Sequence, residues 1–291
     1  TPMLDDGSGG DGEPKRLRAN ANLAFIGSYV LGMGFVLTPE EAADLIEQDP
    51  RNRDVLFPYL NGEDLSSRPD QSPSRWVINF FDWPLDRDSA PSGYAGPVAA
   101  DYPDCLAIVR KDVKPEREAL RDNADGMRRK LSWWKYGRTT PGLDSALSKR
   151  ALVFVAPRVS KYLVFSASQP TRVFSEQTVV VATESPALFA LLQSTLHALW
   201  VMRPGGSTLE TRLRYTPSDY FETLPSPRIA PMGWELLGEP AMEYMTIRSE
   251  AARRRVLGLT KIYNLYHDPA TQRDEAVVQK AAQPFDDIRR L

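Results

Sequence analysis

"LRYTPSDYFETLPSP" (Leu213–Pro227) changes character at its middle. The stretch leading into it, "GGSTLETRLRYT", alternates charged and uncharged side chains, so an extended segment would carry Glu210, Arg212 and Arg214 on one face. Thr216-Pro217-Ser218-Asp219 then has the chemistry of a helix start: a hydroxyl at the cap, proline at the first helical position and an acid in the first turn. Pro225 and Pro227 stop that helix and turn the chain. An extended segment that hands over to a short helix and then to a turn is a junction between a β-rich part and the C-terminal region.

Working outward, "RWVINFF" (Arg75–Phe81), "CLAIV" (Cys105–Val109) and "TVVVA" (Thr178–Ala182) are predicted strands, and "ALVFVAPRVSKYLVF" (Ala151–Phe165) a hairpin turning near Pro157 to Ser160. Thr38-Pro39-Glu40-Glu41 opens a helix that stops before Asp49-Pro50. A second helix is expected from Pro115. A third starts at Ser185-Pro186, with Leu188, Leu191, Leu192, Leu196, Leu199 and Trp200 at helical spacing, and ends at Pro204-Gly205-Gly206. A fourth is expected over about Pro240 to Leu257, and a last one after "LTKIYNLYHDP". Strands and helices do not alternate as βαβ units, so the class is α+β: an antiparallel-rich domain followed by a helical tail. The Gly-, Asp- and Pro-rich residues 1–20 read as a linker.

With 42% apolar and 25% charged residues, the chain has the composition of a globular protein with a sizeable core. Its single cysteine, Cys105, excludes an internal disulfide and a cysteine zinc cluster, and points to a reducing, cytoplasmic home. The longest apolar run, "SPALFALLQSTLHALWVM", is interrupted by Gln193, Ser194 and His197, so no membrane span is expected. The first residue is Thr1 and the last lies in the amphipathic "FDDIRRL", so both ends read as cuts in a longer protein.

Charge is unevenly placed. Residues 1–105 hold 8 basic and 18 acidic side chains, whereas residues 106–175 hold 15 basic and 6 acidic. Between Asp125 and Glu176 the only acid is Asp144, against ten Lys or Arg. That asymmetry suits a polyanion partner, or a solvated surface balanced in space by the acidic first third. In "RRKLSWWKYGR", Trp133, Trp134 and Tyr136 are interleaved with Arg128, Arg129, Lys130, Lys135 and Arg138. Such rings either stack and wedge against nucleic acid or anchor a core with the cations snorkelling around them.

Enzymatic motifs are largely absent. "FIGSYVLGMG" has neither the Gly-x-Gly-x-x-Gly pattern nor the Gly-Lys-Ser/Thr end of a P-loop, and reads as a glycine-rich strand and turn. There are two histidines and no Gly-x-Ser-x-Gly elbow. His197 lies on an apolar helix, where a core histidine is the expected state, and His267 in "YHDP" is placed to bond the last carbonyls of a helix. Pro103-Asp104 followed by Asp112-Val113-Lys114 has the residue types of a metal-dependent nuclease, two carboxylates for Mg²⁺ and a lysine for water. This is the alternative to DNA recognition, along with a protein-interaction domain.

Nine segments in order resemble the C-terminal part of the MmeI-type DNA adenine methyltransferases of restriction and phage defence. They are "GSYVLGMGFVLT", "LFPYLNGEDL", "RWVINF", "YPDCLAIVRKDVKPER", "WWKYGR", "APRVSKYLVFS", "LLQSTLHALWV", "RYTPSDYFETLPSP" and "LGLTKIYNLYHDP". The resemblance implies a target recognition domain over 21–227 and a truncated helical segment over 228–291. It implies double-stranded DNA as partner, with Glu210, Arg212 and Arg214 reading bases. Arg128, Arg129, Lys130, Lys135, Arg138, Arg158, Lys161 and Arg172 are then the expected phosphate contacts. It also implies an upstream domain in cis that binds S-adenosylmethionine and carries an Asn-Pro-Pro-Tyr loop. Neither that loop nor a Phe-x-Gly-x-Gly cofactor turn occurs here, so the chain is expected to bind DNA without methylating it, with no catalytic or metal residue of its own.

Overall fold

Thr38 caps the helix Pro39–Gln48 through a reciprocal pair: the Glu41 amide donates to its hydroxyl, and the Thr38 amide donates to the Glu41 carboxylate. The structure, a computed structural model, describes residues 14–202, 208–209, 212–226 and 231–269. It is α+β, with three small sheets, mostly antiparallel, and a helical C-terminal part.

The central sheet runs in the order Ala24–Ile26, Thr178–Val181, Val153–Pro157, Ser166–Ser168, all antiparallel. Its two middle strands are buried at every position. Alternation explains this: Phe154, Val179 and Val181 enter one hydrophobic cluster, while Val153, Val155 and Val180 enter another. A second sheet, Val36–Leu37, Arg75–Ile78, Leu56–Leu60 and Val173–Phe174, closes on its last strand by the one parallel pairing among the described strands. A third sheet joins Thr208–Leu209, Arg212–Arg214 and Val159–Ser160.

Several sequence expectations are corrected. "CLAIV" is not a strand but lies inside the helix Pro103–Asp112. Pro103 at the first helical position starts that helix, and Cys105, Leu106, Val109 and Val113 fall on one helical face that enters the core. The helix expected from Pro115 is two, Lys114–Glu118 and Ala124–Leu131, the second capped afresh by Asn123. The helix from Ser185 also breaks. Ser194 caps Thr195–Val201 after Pro186–Gln193 has ended, and Pro204-Gly205-Gly206 lies outside the described residues. The hairpin expected to turn at Pro157 to Ser160 does not turn there. Val159–Ser160 leaves for the third sheet, and Val153–Pro157 pairs instead with Ser166–Ser168.

Trp133 and Tyr136 are buried and Trp134 packs against the same cluster, donating its indole N–H to the Trp83 carbonyl at 3.0 Å. The aromatic residues of "WWKYGR" are thus core anchors. The junction around Thr216 is a clamp: the π-helical turn Pro217–Phe221 buries Tyr220 and Phe221, and Asn20 donates to the carbonyls of Phe221 and Leu224, each at 2.9 Å. Thr216 starts this turn without a side-chain cap bond. Beneath the junction His197 is fully buried. Its Nδ1 lies 2.8 Å from the Leu192 carbonyl, which can only accept, so Nδ1 carries the proton and Nε2 accepts from the Tyr215 hydroxyl at 3.1 Å. The tail helix Gly238–Arg255 packs along Pro186–Gln193. It is fastened by buried Arg248, which donates to the Phe165 carbonyl at 2.7 Å. His267, at the end of Leu259–Tyr266, stacks on the Tyr162 ring at 4.9 Å.

Candidate functional site

The third sheet forms one wall of the largest cleft described, about 1150 Å³. Arg158, Lys161, Arg212, Arg214 and Lys261 line it, against two carboxylates, Glu63 and Glu176. Pairing sets the placement. Leu213 opposes Ser160 and Arg214 opposes Val159, while the Tyr215 amide donates to the Arg158 carbonyl at 2.7 Å. Arg212 and Arg214 are exposed and Leu213 between them is half-buried, as strand alternation requires. Tyr215, the next residue inward, is held by His197, so the strand rests on a buried hydrogen-bonded platform. Lys161 is tied to the tail, donating to the Asn264 side-chain oxygen at 2.6 Å.

Arg158 marks the inner end of the cleft. Its Nη1 donates to the Tyr29 hydroxyl at 3.1 Å, and its Nε is buried with no hydrogen-bond partner. The Tyr29 ring also carries the Arg138 guanidinium, 5.6 Å from the ring centre. Tyr29 reaches this position because its neighbour Ser28 bridges to Ser175, an approach that Gly27 permits: a Cβ there would lie 2.2 Å from the Ser175 carbonyl oxygen.

Of the expected base readers, Arg212 and Arg214 do share a face, and Glu210 lies outside the described residues. The single extended segment expected through all three is corrected: Thr208–Leu209 and Arg212–Arg214 are antiparallel partners, with Leu209 opposite Arg212. Of the expected phosphate contacts, Arg158 and Lys161 line the cleft and Arg138 joins them through Tyr29. Arg128, Arg129 and Lys130 lie on the helix Ala124–Leu131 and are paired with Asp125, Asp125 and Asp122 at 2.7, 2.5 and 2.6 Å. Exposed pairs of this kind contribute little and exchange partners readily. Lys135 donates to the Asp82 carbonyl at 2.8 Å beside Trp134. Lys261 was not anticipated. A single cation in "LTKIYNLY" carries no signal of its own, and only the docking of the tail brings it to the cleft.

Arg172 lies elsewhere, in a smaller pocket of about 300 Å³ with Phe57, Phe81, Asn79 and Asp144. Burial, and then the charge of Asp82, push the Asp144 carboxyl up to about 6. An acid whose pKa is raised on folding destabilises the native state where it must ionise, above its ordinary value near 3.8. Asp144→Asn is therefore expected to stabilise the protein at pH 7 by about 1 kcal/mol, discounted for partial exposure, and to have no such effect near pH 4. Urea unfolding at the two pH values checks this, and an equal effect at both would refute it.

Asp104 and Asp112 stand eight residues apart at opposite ends of one helix, about 12 Å along its axis at 1.5 Å per residue. Asp104 accepts from Asn52 at 3.3 Å, and Lys114 pairs with Glu118 at 3.6 Å. They do not converge, and no cluster able to hold a metal occurs among the described residues. Nor is any described helix long and apolar enough to cross a membrane.

Residues 138–228 match the family model of the MmeI target recognition domain. Comparison with curated proteins gave no match. Among solved structures, the chain is similar to the Type IIL restriction-modification enzyme MmeI in complex with DNA, with a TM-score of 0.60 and 20% identity. The likeness covers 78% of this chain and 28% of that one, so this chain spans little more than a quarter of the similar enzyme's length. At that identity the likeness shows a shared fold.

Proposed function

Because residues 138–228 carry a target recognition domain of the MmeI type, we infer that this chain selects duplex DNA for a restriction-modification enzyme. The observation that carries the reading is the cleft in which Arg158, Lys161, Arg212, Arg214 and Lys261 converge from three parts of the chain. In this reading Arg158 and Lys161 neutralise phosphates and set the register. Arg212 and Arg214 project from the strand into the major groove, where guanidinium donates two parallel bonds to guanine O6 and N7. Glu210, close ahead in sequence, supplies an acceptor for cytosine N4. The chemistry served is N6-methylation of adenine in a restriction or phage-defence setting. S-adenosylmethionine is held by an upstream domain of a longer cytoplasmic protein.

Selection from a pool of random duplexes tests the reading. The chain is expected to enrich one motif, and Arg212→Ala to relax a single position of it, by about 1–3 kcal/mol of discrimination. A selected pool without a common motif would leave only general polyanion binding and defeat the reading. The same preparation, given duplex and labelled S-adenosylmethionine, or duplex and Mg²⁺, is expected to transfer no methyl group and cut no strand. Cleavage abolished by Asp112→Ala would establish the nuclease alternative instead.

A further inference from the structure

Leu31 is half exposed, at 50%, and its backbone is left-handed, with φ of +49°. Exposed leucines are ordinary, but a leucine in that conformation is not. The strained turn is held from several sides. Arg117, itself only 2% exposed, donates to the Leu31 carbonyl at 2.7 Å and to the Val30 carbonyl at 3.2 Å. The Gly137 amide also donates to the Val30 carbonyl at 3.2 Å. Leu31 sits directly over Gly137, where a Cβ would lie 2.4 Å from its Cδ1. A buried guanidinium and a glycine seat thus fix an apolar side chain so that it projects to solvent, and strain maintained in this way points to use.

The surroundings say what it meets. Arg128 donates to the Gly137 carbonyl at 2.6 Å, and Arg138 follows Gly137 in the chain and bridges Tyr29. Tyr29 in turn accepts from Arg158 at the inner end of the basic cleft. Leu31 therefore stands at the end of a continuous cationic track, an apolar tip among guanidinium groups. Apolar side chains presented between phosphate-binding cations enter base steps, unstack them and kink the duplex.

We propose that Leu31 is a wedge that inserts between base pairs of the DNA lying along the Arg158–Tyr29–Arg138 track. The proposal rests on the DNA-binding reading above and adds a deformation step to it. Unstacking favours flexible pyrimidine–purine steps, so the wedge would select sequence at a position that no side chain reads by hydrogen bonds.

The test is atomic force imaging of the chain bound to linear plasmid DNA at low salt, with the bend angle measured at each bound particle. Wild type is expected to kink the DNA by an angle in the range of about 20–90°. Leu31→Gly, which adopts a left-handed φ without strain and so keeps the fold, is expected to bind along nearly straight DNA. Leu31→Phe is expected to restore the kink. Straight DNA under wild type, or an equal kink under Leu31→Gly, overturns the wedge while the particles on DNA uphold the DNA-binding reading. A kink lost equally in Leu31→Phe and Leu31→Gly also overturns it. If no particle is found on DNA, the DNA-binding reading falls and the wedge with it.

Discussion

Alanine at Arg158, Lys161, Arg212 and Arg214 together is expected to lower affinity for duplex DNA on the order of 10³-fold at 0.1 M salt, since each lost contact forgoes about 0.9 of a released counterion. The four side chains line one cleft although they come from two separate stretches of the chain. Their effects should nonetheless differ in kind. Arg158→Ala and Lys161→Ala should weaken every duplex alike and flatten the plot of log affinity against log salt by about 1 each. Arg212→Ala should act mainly on the preferred sequence. Fluorescence anisotropy titrations on random and selected duplexes, from low to moderate salt, separate the two. An unchanged salt slope in Arg158→Ala/Lys161→Ala would mean that these cations face only solvent and the tail, and the cleft would lose its assignment. Lys261→Ala provides a control on architecture, because its place in the cleft depends on the docked tail.

Acid is expected to destabilise the protein through one buried residue. Burial pulls the His197 imidazole down to about 4, from an ordinary 6.5, although the Leu192 carbonyl opposes the shift. The unfolded chain therefore takes up a proton below about pH 6.5, while the native chain resists until about pH 4. The contribution of His197 is fully present above 6.5, falls as the pH drops, and is spent below 4. At pH 4 the loss comes to about 3 kcal/mol. His197→Asn, which can keep a donor toward Leu192, is expected to flatten this part of the profile, at a cost of about 1 kcal/mol at pH 7 from the bond to Tyr215. Urea midpoints between pH 4 and 7 would decide: parallel profiles for the two proteins would show that another group titrates. Because His197 supports Tyr215, next to Arg214, loss of DNA binding should accompany the acid transition.

Local chemistry was legible wherever short-range interactions dominate. The cap at Thr38, the strand at Arg75, the core role of Trp133 and the tail helix near Pro240 could all be read from neighbouring residues. "CLAIV" could not be, because a short apolar run fits a buried strand or a buried helix equally well. Pro103, just outside the run, decided in favour of the helix. The turn expected at Pro157 failed for a different reason. Val159–Ser160 finds its hydrogen-bond partners 53 residues away, in Arg212–Arg214, and no local pattern encodes a partner at that distance.

The candidate site divides in the same way. By itself the sequence determined the α+β class, the concentration of positive charge after residue 105, and the alternation that places Arg212 and Arg214 on one face. These depend on composition and on the two-residue period of a strand. Which cations act together was decided only by the tertiary structure. Arg158 and Lys161 meet Arg212 and Arg214 by strand pairing, and Lys261 joins them through the tail. Arg172 is diverted to another pocket, and Arg128, Arg129 and Lys130 are paired with carboxylates of their own neighbourhood. Charge is a property of each residue alone, but a cleft is a property of the pairing between distant segments, and that pairing follows from burying both faces of the central sheet.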